Sequence, residues 1–303
     1  MRTSTKLIGY VAGLAVLAGG AFALGAGVGQ VPAAAPAPDQ HAAMSGMAPA
    51  VHAGMPAEGA LPGLATTSGG YTFNPASTVV ETGAAHPFSF TITGPDGRPV
   101  TAFDVEHEKR MHLIVVRRDG AGFEHIHPEM AADGTWTVPY AAPLAGSYRA
   151  FADFKPTGGS ATTLGVDLSA AGALTPVVPT PSRVSQVDGY TVELAGDLVP
   201  GAVSPVTLTV SRDGKPVTDL QPYLGAYGHL VALRTGDLAY LHVHPEAGTP
   251  GPAVRFGTEV PSAGTYRLYL DFRHGDVVRT AEFTVATSGT APAAPPPAHD
   301  AGH

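Results

Sequence analysis

Short runs of apolar residues, some alternating with polar ones and some continuous, recur along most of the chain and are separated by turn residues. In the first half these runs are Phe88–Ile92, Leu113–Val116, Trp136–Val138 and Tyr148–Phe154. Short runs bounded by Gly, Pro and Asp are typical of β-strands. No window keeps the 3.6-residue period of a helix. The pattern therefore predicts an all-β protein.

The pattern occurs twice. Asp96-Gly-Arg-Pro-Val-Thr101 matches Asp213-Gly-Lys-Pro-Val-Thr218 at an offset of 117 residues, and Gly146–Phe154 matches Gly264–Phe272 at an offset of 118. A repeat of about 100 residues has the size of a domain, which indicates duplication of a domain and not a solenoid. Strands at this spacing predict two tandem immunoglobulin-like β-sandwiches. Tyr148 and Tyr266 stand at the position of a tyrosine corner.

Changes in composition suggest the domain boundaries. Ala, Pro and Gly dominate both ends, and Thr175–Pro181 is rich in proline. The predicted organisation is a membrane anchor or signal peptide at 1–30, a disordered linker at 31–70, a first sandwich at 71–170, a Pro-rich linker at 171–188, a second sandwich at 189–287 and a disordered tail at 288–303.

Histidine is concentrated in the matching segments of the two repeats. His125 and His127 are two residues apart, so they share one face of a strand. A hairpin with a four-residue loop places His127 opposite His112, and directly opposed residues point to the same side. The same register in the second repeat joins His229, His242 and His244. A shift of one residue would abolish both groups.

Three imidazoles on a β-surface are suitable ligands for Zn²⁺, Cu²⁺ or Ni²⁺. Glu129 and Glu246 are candidates for an added carboxylate ligand, and Asp153 and Asp271 for orienting a ligand imidazole. The alternative is a structural role, in which the histidines form hydrogen bonds and pack beside Phe123 and its neighbours on the same face.

The N-terminus has the features of an export element. Arg2 and Lys6 precede an uncharged run from Leu7 to Val28, which is long enough to span a bilayer. The positive flank predicts a cytoplasmic N-terminus and an extracytoplasmic remainder, held by one transmembrane helix. A cleavable signal is the alternative, since Ala21-Phe22-Ala23 resembles a cleavage site; the protein would then be secreted.

The predicted linker carries a second set of candidate ligands: His41, Met44, Met47, His52 and Met55. Thioethers are soft and suit Cu⁺, and imidazole suits both oxidation states of copper. Compositional drift in an Ala/Gly/Pro linker is the alternative.

Composition excludes several classes of function. The chain has no cysteine, so disulfides, thiolate ligands and a lipidated cysteine are excluded. Its net charge is −8 and its 17 Lys and Arg residues form no stripe, which argues against nucleic acid as a partner.

Met111-His-Leu-Ile-Val-Val-Arg-Arg-Asp119, Phe123-Glu-His-Ile-His-Pro-Glu129, Gly228-His-Leu-Val-Ala-Leu-Arg234 and Leu241-His-Val-His-Pro245 resemble bacterial exported proteins with YtkA-like immunoglobulin-type domains. The resemblance covers about residues 71–287. It implies an exported β-sandwich that accompanies copper or heavy-metal transport components, with a metal-transport membrane protein as partner.

Three functions follow from these features. The first is an exported, membrane-associated metal-binding protein, for copper or alternatively zinc, that acts as buffer, sensor or donor. The second is a structural or interaction module of tandem immunoglobulin-like domains. The third is a small His-site metalloenzyme, which the absence of a P-loop, Gly-x-Ser-x-Gly or His-Glu-x-x-His motif disfavours; we expect no enzymatic activity.

Overall fold

The computed structural model describes residues 61–241 and 243–289, and every regular element in these ranges is a β-strand. The predicted all-β class is confirmed. Residues 1–60, with the predicted anchor or signal and the His/Met set, lie outside the described residues, as do His242 and the tail from residue 290. Among the described residues there is no helix with the length and apolar character needed to cross a membrane.

The first domain has ten strands. They are β1 (Thr67–Ser68), β2 (Tyr71–Pro75), β3 (Val79–Val80), β4 (His86–Thr93), β5 (His112–Arg117), β6 (Glu124–Ile126), β7 (Glu129–Met130), β8 (Thr135–Tyr140), β9 (Gly146–Phe154) and β10 (Thr162–Ala170). One sheet has the order β1-β2-β4-β8-β7 and the other has the order β3-β10-β9-β5-β6. All these pairings are antiparallel except that of β3 with β10.

The second domain also has ten strands. They are β11 (Val184–Val187), β12 (Tyr190–Ala195), β13 (Val203–Arg212), β14 (Lys215–Pro216), β15 (His229–Arg234), β16 (Tyr240–Leu241), β17 (Val243–Pro245), β18 (Ala253–Glu259), β19 (Thr265–His274) and β20 (Val277–Ala286). One sheet has the order β11-β12-β13-β18-β17, with β14 beside β13, and the other has the order β16-β15-β19-β20.

The strand order is that of an immunoglobulin-like sandwich in both domains. Strands β2-β4-β8-β7 correspond to the A-B-E-D sheet of a constant-type domain, and β10-β9-β5 correspond to G-F-C. The second domain repeats this order as β12-β13-β18-β17 and β20-β19-β15. Each sandwich encloses its own core, formed by the inward faces of its two sheets.

Both tyrosine corners are present. The Tyr148 hydroxyl donates a hydrogen bond to the carbonyl of Leu144 at 2.6 Å and accepts one from the Leu144 N–H at 3.1 Å. The Tyr266 hydroxyl donates to the carbonyl of Ser262 at 2.7 Å. These bonds hold the loop before each central strand against the sandwich.

Replacing Tyr148 with phenylalanine should lower the free energy of unfolding by about 1–2 kcal/mol, because two backbone groups of Leu144 lose a partner. Urea denaturation of the full chain measures the change. Tyr266→Phe, which removes one such bond, is the matched comparison and should cost less. An equal or larger loss for Tyr266→Phe would contradict this account.

The folded region extends beyond the predicted boundaries at two places. Residues 61–70 were assigned to the linker, but the Gly63 N–H donates to the carbonyl of Thr163 at 3.0 Å, and β1 pairs with β2. Gly63 has a positive φ of 75°, and a Cβ there would lie 2.6 Å from the Phe151 ring, so only glycine fits. Residues 182–187, also assigned to a linker, include β11. In 61–70 the Ala, Pro, Gly and Ser content hid these backbone pairings, and 182–187 directly follows the proline-rich run that ends at Pro181.

The two domains meet at a third apolar cluster, which we call the interdomain seam. It consists of buried Ile114, Val116, Phe151, Val231, Leu233, Leu238, Tyr240 and Tyr269, with partly buried Phe123 beside them. Most members form equivalent pairs in the repeat, such as Ile114 with Val231 and Phe123 with Tyr240. Phe123 stacks on Tyr269 with ring centroids 3.9 Å apart, and Phe151 contacts Tyr240 at 5.6 Å. The seam is therefore pseudo-twofold symmetric.

The seam explains why β5 is apolar on both faces. Leu113 and Val115 point into the core of the first sandwich, whereas Ile114 and Val116 point into the seam. All six residues of β5 are buried. A strand buried on both faces has a continuous apolar run in place of strict alternation.

Candidate metal centre

The hairpin of β5 and β6 has the predicted register. Leu113 faces Ile126 and Ile114 faces His125, as the four-residue loop requires. In this register His112, at the start of β5, comes next to His127, just after β6. The same register is found in the second domain, where Ala232 faces Leu241 and Leu233 faces Tyr240.

His112, His125 and His127 converge on one point. The Nδ1 atom of His112 lies 3.0 Å from Nε2 of His125 and 3.3 Å from Nε2 of His127. One nitrogen from each ring falls within 4.8 Å of the other two. We refer to these three side chains as the His triad.

Two rings of the triad use their other nitrogen to donate a hydrogen bond. Nε2 of His112 lies 3.1 Å from the carbonyl oxygen of Glu106, which can only accept, so this nitrogen carries the proton. Nδ1 of His125 lies 2.8 Å from Oδ2 of Asp271 and donates to it when the carboxylate is ionised. Two nitrogen lone pairs then face each other across 3.0 Å, an arrangement that a cation between them stabilises.

Burial keeps the imidazoles of the triad neutral. It lowers the pKa of His112 to about 4 and that of His125 to about 3. Burial, followed by the neighbouring histidines, lowers the pKa of His127 to about 3. Neutral imidazole is the form that binds metal ions, so these rings need lose no proton to act as ligands at neutral pH.

The buried carboxylate beside the triad has the opposite shift. Burial raises the pKa of Asp271 to about 7, although the Thr280 hydroxyl donates to its Oδ1 at 2.6 Å. In the protonated form Asp271 donates to Nδ1 of His125, whose Nε2–H then donates to His112. Without a cation, this relay is the arrangement that satisfies both rings.

Two of the three nitrogen–nitrogen distances within the triad fit a transition-metal ion. With metal–nitrogen bonds of about 2.0–2.1 Å, two ligands of a tetrahedral ion lie about 3.3 Å apart. The His112–His127 distance of 3.3 Å equals that value, and the His112–His125 distance of 3.0 Å is slightly shorter. Metal-bound histidines usually donate their other ring N–H to a carboxylate or a backbone carbonyl, and ionised Asp271 is placed to accept from His125 in this way.

The second predicted group is distributed differently. His229 begins β15, is partly buried, and lies against the His triad. Its ring is parallel to that of His112 within 5°, with centroids 5.5 Å apart, and its centroid is 4.8 Å from that of His125. Burial lowers the pKa of His229 well below its ordinary value. His244 lies in β17, which pairs with β18 of the opposite sheet; it is exposed and lines a cavity together with His112 and His229. His242 lies outside the described residues.

The other predicted contributors lie at varying distances from the triad. Glu129 is exposed in β7, in the opposite sheet of the first domain. Glu246 follows β17 and is exposed. Asp153 is partly buried and accepts from the Thr163 hydroxyl at 2.7 Å, and burial raises its pKa to about 6. It lines a cavity of about 170 Å³ together with His112 and His229.

Two features of the site could not be assigned from motif spacing. Asp271 bonds a histidine of the other domain, and His229 joins the first triad. His107, in an exposed turn, has its ring centroid 5.4 Å from that of His229. Met111, beside His112 in sequence, is buried in the first sandwich core. The signal that was available is the doubly apolar pattern of β5 and β15, which indicates that a partner covers their outer face.

Fold and site together define a tandem immunoglobulin-like β-sandwich protein with a buried histidine cluster at the seam between its domains. A family model described as Domain of unknown function (DUF8832) matches residues 65–172 and 185–289, which is more than half of the chain. The chain belongs to this family. The match supports the duplication of one domain; it does not extend to YtkA-like domains or to a metal-related family.

No curated protein matches the chain in sequence. Among solved structures it is similar to the Escherichia coli adhesin FdeC, with 10% identity over 74% of this chain and 65% of that one and a TM-score of 0.24. It is also similar to Yersinia pseudotuberculosis InvD, with 13% identity over 75% of this chain and 61% of that one and a TM-score of 0.23. A protein described as membrane anchored from Corynebacterium diphtheriae is 9% identical over 75% of this chain and 61% of that one, with a TM-score of 0.23. The chain thus spans less than two thirds of each. TM-scores this low carry no argument, so the assignment of fold rests on strand order.

Proposed function

We propose that this protein is an extracytoplasmic metal-binding module whose centre is the His triad. The observation that carries the proposal is the approach of His112 Nδ1 and His125 Nε2 to 3.0 Å while the opposite nitrogen of each ring is directed at an oxygen acceptor. When Asp271 is ionised, a bound cation supplies the partner that these two lone pairs lack.

Copper is the proposed ion, and zinc is the alternative. Imidazole binds both, and the centre contains no thiolate. Cu⁺ with three neutral imidazoles and an ionised Asp271 leaves no net charge at the buried site, whereas Zn²⁺ leaves one positive charge to be compensated. The His/Met set of the N-terminal segment adds soft ligands to the same chain.

The N-terminal sequence supports the location. Arg2 and Lys6 before the uncharged run predict export of both domains, anchored by one helix or released after cleavage. In this position the protein acts as a copper buffer or as a donor to a metal-transport membrane protein. A second function, adhesion or interaction through the tandem sandwiches, is favoured by the buried apolar seam that joins them and is compatible with a bound metal.

The test is metal stoichiometry in the full chain, purified in detergent and stripped of metal. The N-terminal ligands are first silenced by replacing His41 and His52 with alanine and Met44, Met47 and Met55 with leucine. We expect one Cu⁺ per chain to resist a competing chelator after this change, and this ion to be lost when His112→Asn is added.

The variants also separate the proposal from the structural alternative. If the silenced chain retains no Cu⁺ or Zn²⁺ against the chelator, the triad is a hydrogen-bonded element of the seam. If the ion survives His112→Asn, it is bound elsewhere. In oxidised samples, bound Cu²⁺ should show nitrogen splitting in its electron paramagnetic resonance spectrum, which reports the imidazole ligands directly.

A further inference from the structure

The second domain contributes to a centre whose three candidate ligands all belong to the first. Asp271 of β19 bonds His125 at 2.8 Å, and the side chains are 4% and 1% exposed. His229 of β15 covers the ring of His112. Neither residue is near the triad in sequence, and both reach it only because the domains are docked.

We infer that Asp271 is a positioning residue of the metal centre, that the centre is complete only in the docked pair of domains, and that a bound metal clamps the interdomain seam. This inference rests on the proposed function. It goes beyond that function because it assigns roles to the second domain and couples metal occupancy to domain docking.

Asp271 determines which nitrogen of His125 is available. His125 lies in β6, a strand of three residues at the edge of its sheet, so the strand alone restrains the ring weakly. The bond from Nδ1 to Asp271 fixes both the tautomer and the rotation of the ring, and directs Nε2 at His112. Carboxylates in this role typically change metal affinity by about 10–100-fold.

Docking does not depend on the metal alone. The Tyr269 hydroxyl donates to the carbonyl of Gly120 at 2.7 Å, and the Tyr240 N–H donates to the carbonyl of Pro62 at 3.0 Å. These bonds cross between the domains and involve no atom of the triad. A change at Asp271 therefore leaves an independent set of contacts that keeps the domains together.

Thermodynamic linkage makes the coupling reciprocal. If docking raises the affinity of the centre for the metal by some factor, the metal stabilises docking by the same factor. Opening of the seam exposes the Tyr240 amide, whose acceptor is Pro62 of the other domain. Hydrogen exchange at this amide therefore reports docking without measuring metal content.

The experiment compares Asp271→Asn with Asp153→Asn in the full chain whose N-terminal His and Met ligands have been replaced as described above; this chain is the parent. Asp153 is the equivalent residue of the first domain; it is partly buried and accepts a hydrogen bond from the Thr163 hydroxyl. We expect Asp271→Asn to weaken Cu⁺ binding about 10–100-fold and Asp153→Asn to leave it within about threefold. Cu⁺ should slow exchange of the Tyr240 amide by a similar 10–100-fold in the parent and not in Asp271→Asn.

A second variant is needed because asparagine keeps an amide oxygen that can still accept a hydrogen bond from His125, so Asp271→Asn alone could show only a small loss of affinity. Asp271→Leu removes the acceptor and should lower Cu⁺ affinity at least as far, with melting curves to verify that both domains remain folded. If the parent binds no Cu⁺, the proposed function fails. If the parent binds Cu⁺ and both Asp271 variants bind it equally well, or if Cu⁺ leaves exchange at Tyr240 unchanged, the proposed function stands and the clamp is overturned.

Discussion

Replacing His127 with alanine is expected to abolish the stabilisation that a bound metal confers on the folded chain, while the metal-free protein stays folded. His127 follows β6 and is only partly buried, and no hydrogen-bonded carboxylate loses its partner when this ring is removed. Two imidazoles remain, which is too few to hold the ion against a chelator. Metal at about 1,000 times its dissociation constant stabilises a native state by about 4 kcal/mol, and this whole increment should disappear.

The measurement is the melting temperature of the full chain with and without Cu⁺ or Zn²⁺. His244→Ala is the matched control, because His244 is the equivalent residue 117 positions later and lies in β17, beside β18 of the opposite sheet. This control should keep the metal-dependent rise. A rise retained in His127→Ala, or lost only in His244→Ala, would show that the triad is not the centre.

The first hairpin could be predicted from sequence because several local signals agree. The two-residue spacing of His125 and His127 sets a shared face, and the short loop sets the register. The observed pairing of Ile114 with His125 follows directly from these two facts. The tyrosine corners were predictable for the same reason, since a tyrosine bonds a backbone group only four residues away.

The second hairpin shows where this reasoning stops. Both repeats contain His-x-His-Pro-Glu, yet in the second domain the chain changes sheets at once: β16 ends at Leu241, and β17 begins at Val243 beside β18. In the first domain β6 continues through Ile126 before the crossover to β7. The crossover differs by a few residues, and it separates His244 from the hairpin. Packing between sheets sets this point, and the local motif is the same in both repeats.

The docking of the two domains also could not be predicted from the His-x-His-Pro-Glu motif. Repeats at a fixed offset predict two similar domains but not their mutual orientation. Because His112 and His229 are equivalent residues, the pseudo-twofold seam stacks one directly on the other. Sequence reasoning that treats each domain alone assigns them to separate sites. The pairing of His125 with Asp271 crosses the same seam over 146 residues of sequence.

The metal-free chain should lose stability as the pH falls from about 6 to about 4.5. Burial lowers the pKa of His112 to about 4, that of His125 to about 3 and that of His229 well below its ordinary value. Below pH 6.5 these three groups take up protons in the unfolded chain but not in the native one. Acid therefore favours unfolding through each of them.

Two buried carboxylates oppose this trend. Burial raises the pKa of Asp271 to about 7 and that of Asp153 to about 6, so in the same window the native state holds protons that the unfolded chain releases. His127, whose pKa burial and its neighbours lower to about 3, acts in the same direction as the other three histidines. Four histidines against two carboxylates leave a net difference of about two protons, which corresponds to about 2.7 kcal/mol of unfolding free energy per pH unit.

Urea denaturation between pH 4.5 and 6, in the presence of a chelator, measures this slope. Asp153→Asn removes one opposing group, so its slope should rise to about three protons, or about 4.1 kcal/mol per pH unit. An unfolding free energy that is constant or that increases on acidification would mean that the cluster is charged in the native state, and with it the case for three neutral imidazole ligands would fall.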